Sequence, residues 1–299
     1  MGIYVEIFIR GSLDDLWEKT QTPQLHQRWD VRFTDITYLP GTQPQRFLYA
    51  TRIGFGLRIS GEGETVAIRE GDDGQRTSSL KFWSNDPKSL IREGSGYWKY
   101  IPQTDGARFL TWYNYDTRFG WPGRLFDRVI FRPLLGWATA WSFDRLCLWI
   151  EKGIDPGISL QRSFIYSIAR LAVAFIWLYH GIVPKLLYHH PDELLPLLQG
   201  GLSNETALSV VNLAGVLEVI LGLAMFIWWR SRGLFLLTIA LMVFAFVTVA
   251  LTAPTLLVAA FNPVSLNLSM SALSAIGYLA GVDLPSASNC LRKPAEQNS

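Results

Sequence analysis

Cysteine is scarce in this 299-residue chain: Cys147 and Cys290 are the only two, and neither belongs to a CxxC or a Cys/His cluster. That excludes a disulfide framework and a cysteine-built zinc site. Charge is scarce as well. Only 17% of residues are charged and the formal net charge is +2, too little for the electrostatic footprint of a nucleic-acid binder. No GxGxxG follows a strand, no haem-type CxxCH occurs, and no redox cysteine pair is present. No resident cofactor is therefore assigned. The opening residues MGIYVEIFIRGSLDD have neither a basic n-region nor a long apolar h-region, so no cleavable signal peptide is expected. Catalytic pairs are missing too: Asp30, Glu62 and Glu64 show no spacing that marks an acid/base couple.

What is abundant is apolar sequence, 49% of the chain, and it is unevenly placed. Residues 1–160 carry 20 of the 27 Lys and Arg and 19 of the 25 Asp and Glu; the rest carry 7 and 6. A soluble half is followed by a membrane half.

In the soluble half, residues 3–10 (IYVEIFIR) read as a strand. Ser12, with Asp15 three residues on, reads as a helix N-cap, and Leu13, Leu16 and Trp17 share a helical face. A short helix is expected near 22–27. Strand-like runs then cover 32–39, 46–54, 57–70, 76–84, 90–101 and 107–119, separated by turn chemistry such as EGDDGQ and SNDP. In the last run Phe109, Thr111, Tyr113 and Tyr115 alternate with a mostly polar set, so they are expected to face inward. Two readings fit that face: a cavity for an amphipathic ligand, lined by rings with hydroxyl tips, or ordinary core with satisfied hydroxyls. A long helical stretch over 123–151 follows, with Arg124, Arg128 and Arg132 on one stripe and a break or kink expected at Pro133. Trp137, Trp141, Arg145 and Trp149 stand toward the membrane half.

The order strand, two short helices, six antiparallel strands, long helix resembles the START-like SRPBCC superfamily. The segment IRGSLDDLWEKTQTPQLHQRWD carries the likeness most closely, and it spans about residues 1–152. The resemblance implies an α+β helix-grip domain with a cavity between sheet and long helix for a hydrophobic small molecule. Phe109, Tyr113, Tyr115 and Trp29 are the candidate cavity residues. Catalysis is not implied.

A bilayer core of ~30 Å needs roughly 20 apolar residues at 1.5 Å each. Four segments are expected to span it, at about 163–183, 207–229, 233–253 and 256–281. Arg162, Arg230, Arg232, Arg292 and Lys293 fall on one side, with Lys185 the lone Lys or Arg of the opposite loops. By the positive-inside rule both termini are cytoplasmic. The first span, ARLAVAFIWLYHGIVPK at 169–185, holds Arg170 inside and closes on His180, Gly181, Pro184 and Lys185. Gly181 and Pro184 are expected to end the helix at the outer surface. An isolated charge in lipid costs ~3 kcal/mol or more. Arg170 is therefore expected to pair with Glu218 of the second span, and Asn212 to meet His180. Gly215 and Gly222 would allow close helix approach. His189-His190 beside Asp192 and Glu193 is set aside as a metal site, because adjacent histidines point apart. A quinone headgroup suits His180 and Lys185 better.

The spacing R-x9-HG-x2-PK, with acids at 192–193 and a central Glu in the second span, resembles the DoxX-like family of four-helix membrane proteins over about 160–282. That likeness brings quinone-linked oxidoreductase complexes into view, and with them a partner subunit carrying the redox centre. The expected organisation is a cytoplasmic helix-grip domain (1–152), a linker (153–162), an all-α four-helix transmembrane bundle (163–282) and a cytoplasmic tail (283–299) in the inner membrane. The expected function is binding or transfer of a lipid, isoprenoid or quinone, with a quinone-reactive subunit and a structural module as alternatives.

Overall fold

The computed structural model describes residues 2–54, 56–260 and 262–294. Beyond 294, the expected tail lies outside the described residues. Two compact units form: 1–159 with 285–299, and 160–284.

The first unit is built on seven antiparallel strands: β1 (Ile3–Ile9), β2 (Asp35–Tyr38), β3 (Arg46–Ile53), β4 (Leu57–Glu70), β5 (Arg76–Trp83), β6 (Ile91–Gln103) and β7 (Gly106–Thr117). Their spatial order is β1-β7-β6-β5-β4-β3-β2. Between β1 and β2 lie α1 (Leu13–Gln21) and α2 (Pro23–Trp29). Ser12 caps α1 by accepting from the Asp15 amide, satisfying an amide the helix itself leaves free. After β7 come α3 (Gly120–Phe126), a π-helical turn (Asp127–Phe131) and α4 (Arg132–Lys152). Pro133 does not break the helix. It stands in the first turn of α4, where a missing N–H costs nothing, and the wide π turn precedes it.

Period-2 alternation aims Ile3, Val5, Ile7 and Ile9 of β1 and Phe109, Tyr113 and Tyr115 of β7 to one face, and α4 covers it with Ala140, Phe143 and Leu146. The Phe109 and Phe143 rings stack at 4.4 Å. Residues 285–294 return to this unit. Glu6 and Leu291 exchange two backbone hydrogen bonds of 2.9 Å, and Asp144 of α4 accepts from the Ser286 amide and the Asn289 side chain.

The second unit contains most of α5 (Pro156–His180), a π-helical turn (Gly181–Leu187), α6 (Pro191–Gln199), α7 (Asn204–Ile227), α8 (Gly233–Thr252) and α9 (Pro263–Ala280). Among the described residues, three helical stretches are long and apolar enough to cross a membrane: Pro156–Leu187, Asn204–Ile227 and Gly233–Thr252. α9, within the fourth expected span, is not among them. Only 18 residues long, α9 carries Ser265, Asn267, Ser269, Ser271 and Ser274 among its apolar residues. Nor does the first span end at Gly181 or Pro184. The π turn carries it on to Leu187, since an i→i+5 ladder leaves room for a residue that cannot donate.

Candidate functional site

Residues paired directly across a sheet point to the same side. From Tyr115 the register runs to Gly94, Phe82, Gly63 and Phe47, and Tyr49 pairs with Gly61. The inner face therefore mixes large rings with glycines. The rings lie over them: a Cβ added at Gly63 would stand 2.3 Å from Phe47, at Gly61 2.3 Å from Tyr49, and at Gly94 2.4 Å from Phe82. The β1–β7–β6 half of this face is closed by α4. On the β3–β5 half, Phe47, Tyr49, Leu80 and Phe82 are only half-buried.

The four candidate cavity residues all fall in the closed half. Trp29 and Phe109 are fully buried, and Tyr113 and Tyr115 nearly so. The Tyr113 hydroxyl meets Thr139 Oγ1 at 2.8 Å, the Tyr115 hydroxyl donates to Asp127 at 2.6 Å, and the Trp29 indole donates to the Lys19 carbonyl at 2.9 Å. Burial pushes both tyrosine hydroxyls above their ordinary pKa. These are core positions with satisfied polar tips; the ring surface left partly uncovered lies on β3–β5.

Where the two halves meet stands a polar group that sequence reasoning passed over. His26 of α2 packs against Trp29, Phe33 and Trp98, with ring centroids 4.9–5.3 Å away. Its Nε2 is 3.1 Å from Asp30 Oδ2. Asp30 is fully buried and clamped by Arg32, whose Nε and Nη2 donate at 2.8 and 2.6 Å. Burial alone would push the Asp30 carboxyl up; the Arg32 guanidinium and the His26 contact outweigh it and hold it well below the usual carboxylate range. Burial pushes His26 down despite the carboxylate beside it. Beside an ionised Asp30, a neutral imidazole would donate through Nε2 and keep Nδ1 as an acceptor. Phe33 touches Tyr49 at 5.6 Å, so aromatic contacts run from the half-open strip to His26. The readable signal was the i,i+4 spacing of His26 and Asp30 at a helix end. Nearby, Arg145 stands buried in α4, not at a surface, and donates to the Trp29, Arg28 and Pro156 carbonyls. Burial pushes it down to about 10.

In the second unit the polar residues choose other partners than expected. Arg170 does not pair with Glu218. Fully buried, it donates to the carbonyls of Met225, Trp228 and Ser231 and to the Tyr166 hydroxyl. The last carbonyls of α7 lack intrahelical donors and sit at the negative end of the helix dipole. A guanidinium with five donors satisfies several at once. Glu218 is nine residues back, about 14 Å along the axis. It binds Lys185 instead, at 3.2 Å, and Lys185 also meets Glu193 at 3.0 Å. Asn212 meets not His180 but His189, at 2.8 Å. The Gly181–Gly215 contact brings two backbones together, a Cβ on Gly181 falling 2.7 Å from the Gly215 carbonyl. Lys185 is thereby seated against α7.

Comparison with known proteins gives three kinds of likeness. Residues 174–275 match the model of the DoxX-like family. The chain is 53% identical over 183 residues to "Uncharacterized membrane protein YndG" of Bacillus subtilis, covering 60% of this chain and 68% of that protein. Among solved structures, a STAR-related lipid transfer protein of Xanthomonas axonopodis is similar over 45% of this chain and 80% of its own, at 15% identity and a TM-score of 0.37. The di-domain ARO/CYC StfQ of steffimycin biosynthesis covers 51% and 52%, at 15% and 0.39. A hypothetical protein of Helicobacter pylori covers 50% and 88%, at 16% and 0.40.

Proposed function

The chain belongs to the family of the Bacillus subtilis membrane protein YndG, and from that premise we propose that it is a membrane-held receptacle for a hydrophobic molecule. The observation that carries this reading is the half-open strip of Phe47, Tyr49, Leu80 and Phe82 on the inner face of β3–β5. Apolar surface is worth about 25 cal/mol per Å² when covered, so a lipid or isoprenoid tail laid along the strip gains from contact with every ring. The tail's polar end would meet His26 Nδ1, which suits a hydroxyl donor. Tyr49→Ala with Phe82→Ala should lower the amount of small molecule that copurifies with full-length protein in mild detergent, read by mass spectrometry. Leu48→Ala, on the opposite face of β3, should not. Equal retention by all three proteins would sink the reading.

We place the soluble domain at 1–152, a linker at 153–162 and a four-span membrane domain at 163–282, in the inner membrane with both termini cytoplasmic. Supporting this is the return of 285–294 to the first unit. A chain that leaves a folded unit and comes back to it crosses a bilayer an even number of times. With three apolar spans already present, α9 supplies the fourth. Arg162, Arg230, Arg232, Arg292 and Lys293 then share the cytoplasmic side. An impermeant thiol reagent added outside intact cells should label Leu202→Cys and spare Leu291→Cys; labelling of both would refute the topology. The quinone alternative draws less support, because Lys185, its needed donor, is bracketed by Glu193 and Glu218.

A further inference from the structure

The helical segment 119–137 of the first unit presents a face that nothing in the unit covers. Every fourth residue from Gly123 through Asp127, Phe131, Leu135 and Thr139 to Phe143 turns toward the sheet and is buried or half-buried. Apart from Arg124 and Arg128, the outward residues are apolar. Trp121 is 70% exposed, Leu125 54%, Val129 63%, Ile130 51% and Leu134 56%. A soluble surface normally scatters such side chains singly; a contiguous run of this kind marks a contact site.

Charge says what makes the contact. Arg124 and Arg128 are exposed on this segment. Asp127 is its lone acidic residue and is buried, accepting from the Tyr115 hydroxyl and paired with Arg132 at 2.8 Å. The exposed charge is therefore entirely positive. An apolar face with tryptophan at its end and arginines along its side is the pattern of a helix lying in a bilayer interface. The chain brings that bilayer within reach, since α4 ends at Lys152 and the first spanning stretch begins at Pro156. We propose that residues 119–137 form an interfacial segment that docks the first unit on the surface of an anionic membrane, independently of whether the unit carries a ligand.

The test uses full-length protein, one copy per nanodisc, in 30% phosphatidylglycerol and 70% phosphatidylethanolamine, with pure phosphatidylcholine in parallel. An environment-sensitive dye is attached to Leu125→Cys and, as the control, to Asp72→Cys in the β4–β5 turn. The unsubstituted chain sets the background; its Cys147 thiol is half-buried and pushed up by burial to about 12. The dye at 125 should be quenched by nitroxide-labelled lipid and shielded from iodide, whereas the dye at 72 should show the reverse. Arg124→Gln with Arg128→Gln should shift the docked-to-free ratio roughly 25-fold in anionic discs, about fivefold per arginine, and little in phosphatidylcholine. Both side chains are exposed, so the variant keeps its fold, and hydrogen exchange in β1 and β7 checks that. Equal behaviour of the two dyes overturns the proposal. So does shielding at 125 without lipid quenching, which would assign the face to a second copy or another protein.

Discussion

Replacing Arg170 with Leu removes the guanidinium that α5 supplies to the end of α7, leaving only the Tyr166 hydroxyl, which donates to the Trp229 carbonyl. The carbonyls of Met225, Trp228 and Ser231 each lose a charged hydrogen bond, and the Tyr166 hydroxyl loses its Arg170 contact. The Trp228 carbonyl keeps the Ser231 amide as a donor, so two acceptors are orphaned; at about 1 kcal/mol each that is about 2 kcal/mol. At 2–8 °C per kcal/mol for units of this size, the second unit should melt roughly 8 °C earlier. A thiol dye on Ser274→Cys, a position with no exposed surface, reads the unfolding of that unit alone in full-length protein in detergent. The partner assignment is tested by double-mutant cycles. Arg170→Leu and Glu218→Gln should add within ~0.5 kcal/mol, as separated sites do. Lys185→Met and Glu218→Gln should couple by about 1 kcal/mol or more, because removing Lys185 strands the Glu218 charge, whereas Lys185 keeps Glu193 when Glu218 is removed. Strong coupling of 170 with 218, together with additivity of 185 with 218, would refute the reasoning and restore a direct Arg170–Glu218 pair.

Other outcomes follow from single contacts. Gly181→Val should destabilise the second unit by several kcal/mol, since its Cβ meets the Gly215 carbonyl at 2.7 Å and backbone cannot step aside; α5 and α7 spin labels should move apart. Tyr115→Phe should cost roughly 1.5–3 kcal/mol in chemical unfolding of the first unit, the worth of a buried bond to a charged acceptor. The first unit should also lose stability as pH falls. His26 is held below its unfolded value, so its contribution is whole above ~6.5 and declines as pH drops below that, where only the unfolded chain takes up the proton. The Asp30 carboxyl, likewise held low, adds a loss of the same sign below ~4. Melting of His26→Gln between pH 7 and 5 should be flatter than that of the parent; an unchanged slope would remove His26 from the account.

Sequence alone determined the framework. Strand alternation needs only neighbouring residues, which is why the inward set of β7, the Ser12 cap and three apolar spans were legible from spacing and length. The likeness to START-like and DoxX-like proteins was legible in the order of elements and in the R-x9-HG-x2-PK spacing. Choice of partner was decided only by tertiary structure. A buried arginine near a glutamate in sequence pattern suggests an ion pair, but the uncapped carbonyls of a helix end compete for the same guanidinium, and no one-dimensional reading shows which helix end lies beside it. The π turn at Gly181–Leu187 shifts residues after Pro184 around the helix axis, so a strict 3.6 period misplaces Lys185 and His189. Inward aromatic residues read alike whether they line a cavity or fill one. Which it is depends on where α4 lies across the sheet: its Phe143 stacks on Phe109, closing the β7 half and leaving the rings of β3–β5 partly open.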